Sequence, residues 1–111
     1  DSEFNLMHLE FIGGQFVLPD NGLPLASEVR VRVAARDVSL TKKNQTETSI
    51  LNIFPAVVDE IVPEGKAQVM VRLDMSGKIL LACVTRKSAT MLKLEVGINV
   101  FVQVKSVAIV S

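Results

Sequence analysis

Ala67-Gln68-Val69-Met70-Val71-Arg72-Leu73-Asp74 puts Ala, Val, Val and Leu at the odd positions and Gln, Met, Arg and Asp between them. Side chains two apart share a face of an extended chain, whereas a helix groups residues three and four apart. The stretch therefore reads as a strand with one face in a core and the other in water. Two more segments repeat the pattern. Val29, Val31, Val33 and Ala35 alternate with Arg30, Arg32, Ala34 and Arg36 and predict a strand over 29–36. Val100, Val102 and Val104 predict another. Residues 56–62 and 79–84 are more continuously apolar, bounded by Pro55 and Pro63 and by Gly77 and Thr85. Short apolar runs so bounded read as buried strands.

The connections agree with strands. Gly13-Gly14 separates the apolar runs 6–12 and 15–18 and reads as a tight hairpin, since glycine takes positive φ without steric cost. Asp20-Asn21-Gly22, Pro63-Glu64-Gly65-Lys66 and Ser76-Gly77 read as further turns. Many strands on short polar turns predict an all-β barrel. One segment, 88–94, differs: Ser88 is a good N-cap and Gly97 follows, so a short helix is expected there, with amide groups near Thr85 and Ser88. The polar stretch 41–47 reads as a linker. It divides the chain into a smaller β subdomain with linker, 1–47, and a second domain, 48–111.

Composition narrows the function. The chain has 111 residues with 12 Lys plus Arg against 12 Asp plus Glu, so net charge is +0; 49% of residues are hydrophobic. A neutral balance argues against broad binding to nucleic acid or anionic lipid, which needs a basic surface. One Cys and one His cannot build a structural zinc site, and a lone thiol fits a reducing compartment. Cys83 sits in an apolar run and is expected in the core. His8, two residues from Glu10, is expected as a paired surface residue. No apolar run approaches the roughly 18 residues that span a bilayer. The start, Asp1-Ser2-Glu3, has neither an initiator Met nor a signal sequence, and the chain reads as a piece of something longer.

The last strand contains a phase slip. Val100, Val102 and Val104 are even, but Val107 and Ile109 are odd. A one-residue slip turns a strand over, so a bulge or bend is expected near Lys105-Ser106. Three stretches share a chemical character: Thr48-Ser49-Ile50-Leu51-Asn52, Thr85-Arg86-Lys87-Ser88 and Lys105-Ser106. Hydroxyls, backbone amides and a cation are what a small oxyanion requires. Taken singly, each stretch also reads as an ordinary strand end or a capped helix.

In combination they resemble molybdate-binding domains of the molbindin, or TOBE, type. That family opens on T-S-x-R-N, continues with T-x-x-S before a short helix ending near Gly, and closes on V-K-[AS]-[SV]-x-V. Here the counterparts are 48–52, 85–88 with Leu92, Leu94 and Gly97, and Val104-Lys105-Ser106-Val107. The resemblance covers about 48–110. Upstream, residues 29–40 and the stretch from Gly13 to Pro19 resemble the segment before that unit in the ATP-binding subunit of molybdate ABC importers. The resemblance implies an OB-like barrel with one short helix. It also implies a homodimer and a parent that works with membrane permease subunits, cytoplasmic and peripheral to the inner membrane. The ligand would be molybdate or tungstate, with no cofactor and no nucleic acid. Carried over by resemblance, Ser49, Thr85, Ser88 and Ser106 would donate from hydroxyl or amide, and Lys105 would supply charge. One departure stands out. The family commonly has Arg where this chain has Leu51, so a bidentate, charge-assisted contact is missing and weaker binding is expected.

No G-x-x-x-x-G-K-[ST] phosphate loop occurs in these 111 residues, so ATP hydrolysis is not expected of this stretch. The leading reading is a regulatory oxyanion-binding and dimerisation domain of a molybdate importer ATPase. A purely structural dimerisation domain without ligand is the alternative. A nucleic-acid-binding barrel would need exposed aromatics and a basic groove. The chain has no Trp or Tyr, and its five Phe lie in or beside apolar runs.

Overall fold

The computed structural model describes residues 3–11, 14–20, 22 and 28–109. Nine strands are described: β1 (Leu6–Phe11), β2 (Gly14–Pro19), β3 (Val31–Arg32), β4 (Val38–Thr41), β5 (Asn52–Glu64), β6 (Gln68–Met75), β7 (Lys78–Thr85), β8 (Asn99–Val104) and β9 (Ala108–Ile109). A 3-10 turn (Ala35–Asp37) precedes β4, and one short helix, α1 (Arg86–Met91), follows β7. Five strands form an antiparallel sheet in the order β4-β8-β5-β6-β7. β1-β2 and β3-β9 are separate two-stranded ribbons. The sheet curls until its two end strands, β4 and β7, touch. This is the mostly-β, OB-like barrel with one short helix that the sequence predicts.

Alternation explains what fills it. Val69, Val71, Leu73 and Met75 of β6 point inward with Val100, Val102 and Val104 of β8. Phe54, Ala56 and Val58 of β5, Ala82 of β7 and Val38 of β4 join them. Residues 56–62 and 79–84 are strands as expected, but only one face of each is buried. Val57 and Val62 face outward, as do Ile79 at 46% and Leu81 at 45% exposure. Their continuous apolar pattern has a local cause in β5, where the register with β6 shifts between Val58 and Glu60. The extra residue, Asp59, turns the strand and receives Arg72 Nε at 3.2 Å.

The expected strand over 29–36 is cut short. Only Val31 and Arg32 pair, with Ile109 and Ala108. Asp37 N–H then donates to Ala34 O at 2.9 Å, closing the 3-10 turn that carries the chain from β9 to β8. The bend expected near Lys105-Ser106 occurs at the same level: β8 stops at Val104 and the chain resumes as β9. The two bends are tied by Lys105 N–H donating to Asp37 O at 2.9 Å. The polar 41–47 stretch does not interrupt the sheet, because β4 upstream of it lies against β8.

The hairpin β1-β2 docks on β5 by two devices. Phe11 and Phe16 stack at 4.7 Å, and both meet the Phe54 ring edge-on, at 5.4 and 5.3 Å. Gly14 permits this, since a Cβ there would lie 3.0 Å from the Phe54 ring. The second device is Asn52, 7% exposed on the core-facing parity of β5. Its Oδ1 accepts from Val17 N–H at 2.7 Å and its Nδ2 donates to Val17 O at 3.0 Å. One side chain thus stands in for a neighbouring strand. Asn52→Leu orphans both Val17 groups and is expected to cost about 1–3 kcal/mol. Urea unfolding followed by circular dichroism measures it, and a change below a few tenths of that range refutes the anchoring role.

The expected Gly13-Gly14 turn falls partly on Ile12 and Gly13, outside the described residues; the pairing of Phe11 with Gly14 brackets it. Asn21 of the second turn also lies outside them, while Gly22 N–H donates to Asp20 Oδ1 at 2.8 Å. His8 is exposed and paired, but with Gln15 Oε1 at 3.0 Å across the hairpin and not with Glu10. Cys83 is half-buried on the outer face of β7. Phe16 and Phe54 are core residues, as expected, whereas Phe4 is 66% exposed.

Candidate oxyanion site

The helix expected over 88–94 is α1, displaced three residues toward the N-terminus, and its cap is Thr85. Thr85 Oγ1 accepts from Ser88 N–H at 3.0 Å and donates to Ser88 Oγ at 2.9 Å. The one proton of the Thr85 hydroxyl is thereby engaged, whereas Ser88 Oγ keeps its own to give elsewhere. Lys93, in the left-handed region at φ 52, follows the end of the helix. Ser88 lines a cleft of about 300 Å³ with Ser39, Leu40, Val84, Met91 and Leu92.

Lys105 and Ser106 sit at the break between β8 and β9, both exposed. Ser106 Oγ donates to Asp37 Oδ2 at 3.2 Å. Among the described residues Lys105 belongs to no ion pair, so its ammonium is available to an incoming anion. Ser49 precedes β5 and is exposed. Thr48 Oγ1 accepts from Ile50 N–H at 3.2 Å, a local turn that fixes the approach to β5. Leu51, beside it, is 61% exposed.

The five predicted residues fall into groups. Asn52 pairs with Val104, so Ser49 and Lys105 lie at the same end of the β5–β8 pair. Thr85 pairs with Gln68, which pairs with Glu64 at the opposite end of β5. Within one copy Thr85 and Ser88 meet, and Lys105 and Ser106 are neighbours. No hydrogen bond joins these two groups, or Ser49 to either, among the described residues. Nor does any group of three or more His, Cys, Asp or Glu there suit a metal ion.

Sequence reasoning missed two residues. Asn52 was legible as a motif member only, although its parity with Phe54, Ala56 and Val58 marks a polar group on the core face. Asp37 lies in the segment that resembles importer ATPases, and nothing local announces its bond to a serine 69 positions away.

The curled antiparallel sheet, closed by β4 against β7 and carrying one short helix, defines a small OB-like β domain. The chain belongs to the TOBE domain family, whose profile matches residues 48–110. It is 46% identical over 109 residues to the molybdenum import ATP-binding protein ModC of Albidiferax ferrireducens, covering 98% of this chain and 30% of that protein. It is 45% identical over 111 residues to the protein of the same name from Thiobacillus denitrificans, covering 99% of this chain and 31% of that one. The chain thus spans about a third of the length of these relatives. Among solved structures, the fold matches the cytoplasmic molybdate-binding protein ModG in a crystal form with molybdate bound. The TM-score is 0.73 at 22% identity, over 88% of this chain and 79% of that one. No helix among the described residues is long and apolar enough to cross a membrane.

Proposed function

We propose that this chain is the regulatory oxyanion-binding and dimerisation part of a molybdate-import ATPase, with residues 48–111 as the binding unit and 1–47 as its docked upstream segment. The ligand is molybdate or tungstate. It is bound by Ser49, Thr85, Ser88, Lys105 and Ser106, the first and the last three supplying side-chain donors and Thr85 holding Ser88 in place. Within one copy no hydrogen bond among the described residues joins these groups, which supports a pocket completed by a second copy in a homodimer. The exposed Val57, Val62, Ile79 and Leu81 offer apolar surface for association. The parent would act at the cytoplasmic face of the inner membrane with its permease subunits. A difference in anion affinity between two subunit arrangements, coupled by about 1–3 kcal/mol, is enough to restrain transport.

The observation that carries this reading is the Lys105 ammonium, exposed and in no ion pair among the described residues, beside a serine at a strand break. A charge-assisted hydrogen bond contributes about 1.5–3 kcal/mol, so Lys105→Ala is expected to weaken molybdate binding roughly 10- to 150-fold. Titration calorimetry near neutral pH tests both. No binding up to millimolar anion by the unaltered chain removes the sensing function. A dimer indifferent to molybdate in sedimentation would then favour the purely structural reading, which the loss of Arg at position 51 supports.

A further inference from the structure

The geometry points to Asp37 as an internal competitor for the oxyanion, an inference that rests on the binding function proposed above. At the strand break this one residue already holds a proposed anion donor, the Ser106 hydroxyl, together with the backbone N–H of Lys105 beside it. Its backbone oxygen accepts from Lys105 N–H at 2.9 Å, and its carboxylate Oδ2 accepts from Ser106 Oγ at 3.2 Å. A carboxylate oxygen resembles an oxyanion oxygen in charge and in hydrogen-bonding capacity. Asp37 therefore occupies at Ser106 the place of one ligand oxygen.

Among the described residues no cation lies in ion-pair contact with that carboxylate. Among the described residues the ion pair is Arg72 with Asp59, and Asp37 takes part in none. An arriving dianion meets a hydroxyl whose proton is already donated and a like charge within reach of it. Binding at Ser106 requires Asp37 to release the hydroxyl, which then turns its proton to the anion. No proton changes owner. Asp37 also closes the 3-10 turn through its N–H to Ala34 O at 2.9 Å and leads directly into β4. Its displacement is thus a route by which occupancy reaches the upstream segment, and its presence sets the concentration at which the site responds.

The experiment is molybdate titration calorimetry on the full chain and on Asp37→Asn and Asp37→Ala, each first shown to be folded by thermal melting. Asp37→Asn keeps the shape and an acceptor for Ser106 but removes the charge. It is expected to bind molybdate about tenfold more tightly, and Asp37→Ala at least as tightly. Binding by Asp37→Asn where the unaltered chain shows none supports the inference too. If the unaltered chain binds and Asp37→Asn binds equally or more weakly, the competitor role is overturned while the anion site stands. If neither binds at millimolar molybdate, both fall. A second readout needs no variant: the 13C resonance of the Asp37 carboxyl is expected to move during the titration. A resonance that stays fixed at saturation overturns the inference.

Discussion

Phe54→Ala is expected to destabilise the fold by about 3–5 kcal/mol, the range for emptying a buried aromatic site. Phe54 is 6% exposed and contacts two other rings, from both strands of the hairpin. Its removal takes away core volume and the surface on which β1-β2 rests. For a domain of this size each kcal/mol corresponds to roughly 4–8 °C, so Tm should fall by at least about 12 °C. Far-UV circular dichroism is the suitable probe, because the chain has no Trp or Tyr to report by fluorescence. A loss under about 1 kcal/mol contradicts the account of the trio as core, since an exposed aromatic site gives values of that size.

Leu51→Arg is expected to tighten molybdate binding roughly 10- to 150-fold, the equivalent of one added charge-assisted contact. The resemblance places an arginine here, and the structure leaves room for one: Leu51 is 61% exposed while Asn52 beside it is buried. Stability should stay within about 0.5 kcal/mol, as for other exposed positions. The substitution therefore separates binding from folding. Unchanged affinity, with Lys105→Ala still harmful, shows that position 51 faces away from the anion.

Strands were legible where one pairing partner persists. β6 and β8 keep a single alternation from end to end, and their buried residues are those the pattern selects. Residues 29–36 carry an equally clean alternation, yet the chain turns at Ala35–Asp37 because its partner changes from β9 to β8. Local periodicity contains no record of that exchange. Faces were harder than strands. Ile79 and Leu81 are apolar and exposed, so hydrophobicity alone did not tell which side of β7 is inside. The helix was legible, but its cap was displaced because Thr85 and Ser88 both suit the role and only the backbone geometry chooses.

For the candidate site, residue types could be read and their engagements could not. Thr85 turned out to be a cap, and Ser106 is bonded to a residue far away in sequence. A hydroxyl in a motif is an offer of a donor, and the fold decides whether the offer is still open.

The position of β4 bears on how such a domain is to be excised. Its residues Val38–Thr41 precede the matched region yet cover one side of β8, opposite β5. A polypeptide beginning at Thr48 would leave the Val102 and Val104 flank of the sheet without its cover, a bare template for pairing with other molecules. An excised domain is therefore expected to need residues upstream of the family boundary, from before the 3-10 turn, and truncation at Thr48 would trade a tidy outline for a sticky one.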